Sequence, residues 1–340
     1  MKLRGFVAAL TVSLVTVGFS AGAASAVEPG LTPNVTSCPA RSETVPARQL
    51  TLGISMLDYD DLGTLDSFTA SVGGRCPAMW SLWSDWGGDN AGFPSGELPT
   101  ALQERGIVPM VLWQPVDPRN LASEAFTYER IIAGDHDAYI RQWATDAKAW
   151  GGPLMVRFAH EMDGAWFPWG TTTRNFDGNR PLLFLQAWKH IWKTFKGKNG
   201  VGATNVRFVW SPLTPRAEFY PGHKFVDYVG FTAFNWGGAK PWKSMPDLYK
   251  PKVDKALRFT SKPIIVAETG STAVGGDKVI WIKRGHRQVF RKLPQIAAVV
   301  YFNIDMHFAA QPDWSMETTP GALDVYRDLL LLPKFQGQIR

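Results

Sequence analysis

The sequence predicts an α/β protein in which a single (β/α)8 barrel, the TIM barrel fold, follows a cleaved signal peptide. Short apolar runs rich in β-forming residues alternate along the chain with longer amphipathic segments, which indicates alternating strands and helices. Several runs are apolar at both parities, as parallel strands covered on both faces should be. Eight such units in roughly 290 residues fit one barrel, whose usual size is about 250 residues plus insertions.

Residues 1–26 show the three parts of a secretory signal peptide. Two basic residues come before an apolar stretch from Phe6 to about Phe19, and Ala24-Ser25-Ala26 forms a small-residue cleavage site. The alternative, a membrane anchor, needs about 20 apolar residues, whereas this stretch is shorter and interrupted by polar residues. We therefore expect a secreted, extracellular protein that begins at Val27 and has no membrane partner after cleavage.

An extended amino-terminal segment, residues 27–49, is rich in Pro, Ser and Thr and is predicted to wrap loosely. It contains Cys38, and the only other cysteine of the chain is Cys76. An oxidising compartment favours a disulfide between them, which would tie this segment to the barrel. Two free buried thiols are the alternative.

The eight strands are predicted at Leu50–Ser55, Ala78–Trp83, Ile107–Trp113, Leu154–Ala159, Val206–Trp210, Tyr228–Ala233, Ile264–Ala267 and Ala297–Phe302. The clearest helices are predicted at Asp137–Trp150, Pro181–Phe195, Leu248–Phe259, Val279–Lys292 and Leu323–Leu332. No flexible linker, low-complexity tract or sequence repeat divides the chain. Residues 50–340 are therefore predicted to form one catalytic domain, and we expect a monomer.

The charge of the chain is mildly basic. The formal net charge is +6, and it falls to +4 once the two cations of the signal peptide are removed. The surplus is spread along the chain, without a Lys/Arg cluster or a recognition-helix pattern. We therefore expect no nucleic-acid partner.

Two predicted strands, the fourth and the seventh, end in a glutamate. Leu154–Ala159 leads into His160 and Glu161, and Ile264–Ala267 leads into Glu268. The carboxyl ends of barrel strands meet at one mouth, where barrel enzymes carry their chemistry. Glycoside hydrolysis needs two carboxyl groups, one to protonate the leaving oxygen and one to meet the oxocarbenium-like transition state. The alternative for each glutamate is a strand-end salt bridge with an arginine.

Strand parity adds a prediction about the neighbours of the first glutamate. Arg157, Ala159 and Glu161 share one face of an extended strand, and His160 lies on the other face. If Glu161 points into the barrel, Arg157 lies deeper inside it and needs a partner for its charge. His160 then reaches the mouth only if the loop twists, and otherwise packs in the core.

Aromatic side chains cluster at the predicted strand ends. Aromatic rings stack on the C–H faces of sugars, and amide, carboxyl and imidazole groups form hydrogen bonds with hydroxyls. Each tryptophan alone is more often a core residue, but the cluster predicts a neutral polysaccharide or oligosaccharide partner. The residues predicted to bind it are Trp113, His160, Asp163, Trp166, Trp210, Phe234 and Trp236.

Metal and cofactor chemistry finds no support in the residue spacing. His160 and Glu161 resemble the start of a zinc-peptidase motif, but Gly164 stands where the second histidine would be. Histidines and cysteines elsewhere lack ligand spacing, and there is neither a Gly-x-Ser-x-Gly elbow nor a phosphate-binding glycine-rich loop. We therefore expect neither a metal nor a cofactor.

The segments that resemble glycoside hydrolase family 26 are Arg157–Trp169, Val226–Gly230, Phe234–Gly237 and Pro263–Gly270. The best-known members of that family are retaining endo-β-1,4-mannanases, alongside lichenases and β-1,3-xylanases. The resemblance covers nearly the whole mature chain. It implies Glu161 as general acid/base, Glu268 as nucleophile and Trp166 as an aromatic residue near the cleavage point. The implied function is that of a secreted endo-β-1,4-mannanase, with mixed-linkage β-glucan and β-1,3-xylan as alternative substrates.

Three residues depart from the family pattern. Asp163 stands where asparagine is common, Phe234 where a tyrosine usually bonds to the nucleophile, and Tyr301 where a tryptophan usually lies under the sugar. By this resemblance Tyr301 is also predicted to bind substrate. A nucleophile without the tyrosine donor has a less stabilised charged form. The alternative of another class is therefore a carbohydrate-binding protein that has lost the chemistry, although both glutamates are present.

Overall fold

The computed structural model describes Cys38 and residues 46–89, 91–170, 180–238, 240–309 and 311–339. The predicted signal peptide and most of the segment 27–49 lie outside these described residues. None of the helices within the described ranges combines the length and the apolar character that crossing a membrane requires.

Eight parallel strands close into a barrel in sequence order, and the last strand pairs with the first. The strands are β1 (Thr51–Ser55), β2 (Met79–Asp85), β3 (Val108–Gln114), β4 (Leu154–Phe158), β5 (Val206–Trp210), β6 (Tyr228–Asn235), β7 (Ile264–Ser271) and β8 (Ile296–Phe302). All positions of β1, β2, β3, β4 and β7 are buried, as expected for parallel strands that are covered on both faces. The predicted (β/α)8 barrel is confirmed.

The α-helices in the described ranges are α1 (Leu62–Ser71), α2 (Glu97–Glu104), α3 (Tyr128–Ala133), α4 (Asp137–Trp150), α5 (Arg180–Lys196), α6 (Met245–Ala256), α7 (Lys278–Lys292) and α8 (Ala322–Leu330). The alternation of strand and helix is uneven. Two helices, α3 and α4, connect β3 to β4, whereas the described connection from β5 to β6 contains only the short 3-10 helices Ala217–Phe219 and His223–Phe225. Pro215 and Pro221 lie in that connection, and proline interrupts the hydrogen bonding of a longer helix.

The barrel interior has two layers. Toward the amino-terminal end of the strands it is filled by a compact apolar cluster that includes Met79, Met110, Ala298 and Val300. Side chains two or four positions further along the same strands point the same way. Those next inward positions therefore lie at the carboxyl-terminal mouth, where they can line a cavity.

A disulfide joins Cys38 to Cys76, as predicted. Cys76 lies just before β2, so the bond ties the amino-terminal segment to the barrel wall. A cross-link between residues 38 positions apart restricts the unfolded chain and thereby stabilises the fold.

Candidate active site

A cavity of about 680 Å³ lies at the carboxyl-terminal mouth of the barrel. Trp83, Gln114 and Phe302, the inward residues at the ends of β2, β3 and β8, form part of its wall. The remaining described lining residues are Leu112, His160, Glu161, Trp166, Phe167, Leu213, Thr214, Thr232, Ala233, Phe234, Trp236, Lys240, Leu248, Lys252, Glu268, Met306, Gln311 and Trp314. Both predicted glutamates therefore face one cavity.

Glu161 reaches the cavity through a left-handed turn, not along the strand. β4 ends at Phe158, and Ala159 and Glu161 have φ angles of 46° and 51°. Such angles cost a non-glycine residue on the order of 1–3 kcal/mol and are found disproportionately at functional sites. The backbone N–H of Ala159 donates to the Trp113 carbonyl at 3.1 Å, and that of Glu161 donates to the Ser211 carbonyl at 2.7 Å. The turn is thus held between β3 and the end of β5.

This turn also changes the position of His160. Strand alternation would place it opposite Glu161, but both side chains line the cavity because the backbone is not extended there. The ring of His160 packs 4.7 Å from Phe167 and 5.7 Å from Trp169. Burial, and then the charge of Arg157, holds the pKa of His160 well below its usual range, so the imidazole is neutral.

Glu268 is brought to the cavity by a bulge in β7. Val266 pairs with Phe231 of β6, but the next paired residues are Glu268 and Thr232, so Ala267 is an extra residue. A bulge of this kind changes the direction in which the following side chain points. Ala267 belongs to the apolar interior cluster, and Glu268 lines the cavity directly after it.

A fully buried arginine holds Glu268. Arg157 Nη1 donates to Glu268 Oε1 at 2.7 Å, and Nη2 donates to Ser211 Oγ at 3.0 Å. The charged partner that Arg157 needed is therefore Glu268. This is the strand-end salt bridge considered as an alternative, but it faces the cavity. A charge-assisted bond of this kind fixes the orientation of the carboxylate and places a positive charge beside it.

Glu161 lies in a different electrostatic environment. Its Oε2 accepts a hydrogen bond from Trp166 Nε1 at 2.8 Å, and the residue is 7% exposed. Burial, and then the negative charge of Glu268, raises the pKa of Glu161 to about 7, against opposing effects of the Thr232 hydroxyl, the Trp166 N–H and Arg157. The cavity therefore holds one carboxyl group that stays protonated up to near-neutral pH and one that is ion-paired.

The aromatic residues predicted to bind sugar divide into two groups. Trp166, Phe234 and Trp236 line the cavity, and Trp166 is 38% exposed. Trp113, Trp210 and Tyr301 are fully buried and do not reach it; instead they pack outside the barrel sheet. Their contacts are Trp113 with Tyr139 and Trp143, Trp210 with Tyr220 and Phe259, and Tyr301 with the Trp314 carbonyl.

The reason for this division is strand parity. Each of the three buried residues neighbours an inward position: Gln114 follows Trp113, Ser211 follows Trp210, and Phe302 follows Tyr301. A difference of one residue moves a side chain to the other face of the sheet. The outward residues therefore face the surrounding helices and loops.

Asp163 does not line the cavity but organises its wall. Its Oδ1 accepts from the backbone N–H of Leu213 at 2.6 Å, and its Oδ2 accepts from that of Thr214 at 2.9 Å. Leu213 and Thr214 both line the cavity. Asp163 thus holds the loop after β5, which forms part of the cavity wall.

Among the lining residues that were not predicted as binding residues from sequence are Trp314, Lys252 and Gln114. Trp314, twelve residues beyond β8, packs 4.6 Å from Phe234 and 5.1 Å from Trp236 and so supplies an indole beside the cavity that Tyr301 does not. Lys252 donates to the Leu213 carbonyl, and burial lowers its pKa to about 8 against the opposing charge of Glu161. Gln114 carries a buried Oε1 without a hydrogen-bond partner among the described residues. Of these three residues, only Gln114 has a sequence feature that indicates a position at the mouth, because it directly follows the apolar run of the predicted third strand.

The chemistry available to this cavity rests on its two carboxyl groups. Within the described ranges, no cluster of three His, Cys, Asp or Glu side chains is arranged to hold a metal ion. Two carboxyl groups in contrasting environments, one proton-bearing near pH 7 and one paired with a cation, are the arrangement that divides acid and nucleophile roles in glycosidases.

Comparison with known proteins places this cavity in a family context. The sequence model of Glycosyl hydrolase family 26 matches residues 118–332. Endoglucanase H of Acetivibrio thermocellus is 30% identical over 242 residues, which cover 68% of this chain and 25% of that protein. A mannan endo-1,4-beta-mannosidase of Bacillus subtilis strain 168 is 30% identical over 190 residues, which cover 54% of this chain and 46% of that enzyme. The chain thus spans less than half the length of either relative.

Solved structures support the same fold. The catalytic domain of an endo-β-1,4-mannanase from Bacillus sp. JAMB-750 matches with a TM-score of 0.62 at 16% identity, covering 85% of this chain and 88% of that one. A β-mannanase from Bacteroides ovatus matches with a TM-score of 0.60 at 18% identity, covering 85% and 90%. At these identities the likeness shows the shared barrel.

Proposed function

The chain belongs to glycosyl hydrolase family 26, and on that premise we propose that it is a secreted endo-β-1,4-mannanase that cleaves with retention of anomeric configuration. The observation that carries this proposal is the pair of glutamates, Glu161 after β4 and Glu268 in β7, which face one cavity in contrasting environments. The mannan endo-1,4-beta-mannosidase of Bacillus subtilis supports β-mannan as the substrate.

The proposed mechanism is a double displacement. The Glu268 carboxylate, held by Arg157, attacks the anomeric carbon while the protonated Glu161 delivers its proton to the leaving oxygen. The result is a covalent glycosyl ester on Glu268 and a released sugar hydroxyl. Glu161, now a carboxylate, then removes a proton from the attacking water, and the ester bond to Glu268 breaks. A pKa of about 7 lets Glu161 serve in both directions.

Mixed-linkage β-glucan is the second candidate substrate, because Endoglucanase H matches more of this chain than the mannosidase does, 68% against 54%. The β-1,4-linked sugar units of the two polysaccharides differ in the orientation of the hydroxyl at C2, and the glucan also contains β-1,3 bonds. A polar group built to bond one orientation leaves a buried donor or acceptor unpaired with the other, and such mismatches discriminate strongly. β-1,3-Xylan remains a third candidate on the same scaffold.

We expect the purified mature protein to release reducing sugars fastest from β-1,4-mannan and galactomannan, more slowly from lichenan and least from β-1,3-xylan. Viscosity should fall early relative to reducing-sugar release if cleavage is internal. Proton NMR of the first product should show the β anomer before mutarotation. Release of reducing sugars from lichenan alone would show that the enzyme is a β-glucanase. An α anomer as the first product would contradict retention.

Calorimetry distinguishes the proposed enzyme from a carbohydrate-binding protein that has no catalytic activity. Calorimetric titration with mannohexaose should show heat of hydrolysis and shorter oligomers in the recovered sample. Binding that persists for hours while the hexaose stays intact would instead favour the carbohydrate-binding alternative, which Phe234 and Tyr301 suggested from the sequence.

Trp166→Phe is expected to move the pH dependence of catalysis upward. The indole N–H of Trp166 stabilises the charged form of Glu161. Its removal should raise the pKa of Glu161 further, because the charged form of the carboxyl group then loses a hydrogen-bond donor. The alkaline limb of kcat/KM, which marks loss of the acid's proton, should therefore shift to higher pH. We also expect kcat/KM at its optimum to fall roughly tenfold because Glu161 is less well held.

Trp192→Phe is the matched control, because Trp192 packs on Phe225 at the outer surface and does not line the cavity. The Trp192→Phe variant should have the same pH dependence of kcat/KM as the parent enzyme. An unchanged alkaline limb in Trp166→Phe, measured beside this control, would show that the indole does not act on Glu161.

A further inference from the structure

A groove of about 390 Å³ lies on the outer face of α7, and the described residues that line it all carry cationic or amide side chains. The lining residues are Arg284, Arg287, Gln288 and Arg291 of α7 together with Lys334 of the 3-10 helix Pro333–Phe335. We call these five residues the basic groove. Residues spaced three, four and seven apart lie on one helical face, and Arg284 and Arg291 are about 10 Å apart along the axis at 1.5 Å per residue.

The four cations of the basic groove have no acidic partner. Among the residues that the structure describes, none of Arg284, Arg287, Arg291 and Lys334 forms an ion pair, and no Asp or Glu lines the groove. The whole of α7 carries Lys and Arg at six of its 15 positions and neither Asp nor Glu. This local excess of cations contradicts the even spread of charge expected from the sequence, and folding adds Lys334 to it.

Helix stability does not account for this arrangement. Cations in the last turn interact favourably with the helix dipole, which explains Arg291 but not Arg284 or Arg287 in the middle of α7. Like charges three and four residues apart destabilise a helix. They are also within about one Debye length at physiological salt, so solvent ions screen their repulsion only in part. An external anion would relieve that repulsion.

The basic groove lies away from the catalytic mouth. α7 begins after the carboxyl end of β7 and ends before β8 begins, so it runs from the mouth toward the opposite end of the barrel. Lys334 accepts a backbone hydrogen bond from Leu50, just before β1, which places it at that opposite end. A ligand bound here leaves the cavity with Glu161 and Glu268 free.

We propose that the basic groove binds an acidic glycan, a polysaccharide bearing carboxylate or phosphate groups along its chain, and so holds the enzyme near its neutral substrate. Arginine presents a planar fork of donors that matches the two oxygens of either group. Among the described residues, no aromatic side chain lines the groove to stack on a base, as single-stranded nucleic acid requires. The described lining also contains no apolar side chain that could enter a bilayer, as interfacial helices do.

The test compares binding of three forms of the mature enzyme to immobilised polymers. The triple variant R284Q/R287Q/R291Q removes the groove charges, and the control R141Q/K255Q/R258Q removes three exposed cations from α4, α6 and the residues after α6. The polymers are polygalacturonate, poly(glycerol phosphate), neutral dextran, duplex DNA and vesicles of phosphatidylglycerol. Melting temperature and activity on soluble galactomannan, expected within twofold of the parent enzyme, check that each variant is folded.

We expect the parent enzyme and the control to bind polygalacturonate or poly(glycerol phosphate), but not dextran, and the groove variant to bind about tenfold more weakly. Which acidic polymer binds tells carboxylate from phosphate as the source. Equal weakening of groove variant and control would show an effect of net charge and overturn the proposal. So would tighter, groove-dependent binding to DNA or vesicles than to either glycan, or no binding to any acidic polymer.

Discussion

Glu268→Gln is expected to lower kcat/KM on mannan on the order of 10⁴-fold or more, the scale of loss when other hydrolases lose a nucleophile. The amide keeps the shape of the side chain and can still accept a hydrogen bond from Arg157, but it cannot form the glycosyl ester. Alanine would leave Arg157 as a buried charge without its partner, which typically destabilises a fold by about 3–5 kcal/mol. Glutamine also removes the negative charge but keeps a hydrogen-bond acceptor for Arg157, so its melting temperature should fall less than that of the alanine variant, and it separates chemistry from stability better.

Glu268→Ala has a complementary use, because it leaves space for an external nucleophile. Azide should enter that space and restore turnover of an aryl mannoside, giving the α-mannosyl azide, since a single displacement inverts the centre. Glu218→Gln, an exposed carboxyl outside the cavity, serves as the control. The nucleophile assignment fails if Glu268→Gln keeps a rate near that of the control, or if folded Glu268→Ala yields no azide product.

The barrel itself can be predicted from the sequence because its signal is repeated. Parallel strands that are covered on both faces are largely apolar at both parities, and several of the eight strands have this property. Because the strands are apolar on both faces, the sequence does not show which of their residues point into the barrel. β3 is buried along its whole length, so nothing in Val108–Gln114 tells that Gln114 faces the cavity and Trp113 the helices.

The two glutamates that we propose as the catalytic pair can be located from the sequence, but the directions of their side chains cannot be predicted from it. An apolar run that ends in glutamate marks Glu161 and Glu268, yet each side chain reaches the cavity through a local irregularity. For Glu161 it is a left-handed turn, and for Glu268 it is the extra residue Ala267. Both depend on contacts with neighbouring strands. Trp314 illustrates a further limit, because only the folded loop after β8 brings it beside Phe234.

The loss of activity in Glu161→Gln is expected to depend on the leaving group of the substrate. On mannan, where the leaving sugar needs a proton, we expect kcat/KM to fall about 10²- to 10⁴-fold, the usual contribution of general acid catalysis. On dinitrophenyl β-mannoside the leaving phenolate needs little protonation, so formation of the glycosyl ester should stay within about tenfold of the parent rate. Hydrolysis of the ester still needs a base, so the intermediate should accumulate and a burst of phenolate should appear.

The pH dependence gives an independent check on the same residue. Glu161 acts in the first step only while it is protonated, and burial together with the charge of Glu268 raises its pKa to about 7. In the parent enzyme kcat/KM on mannan should therefore fall as the pH rises through about 7. In Glu161→Gln, measured with the dinitrophenyl substrate, that alkaline limb should vanish, because the amide does not titrate. A limb that stays near pH 7 in the variant would mean that another group, such as Lys252 with its pKa lowered to about 8, controls the profile. Equal losses on both substrates would show that Glu161 is not the proton donor to the leaving group.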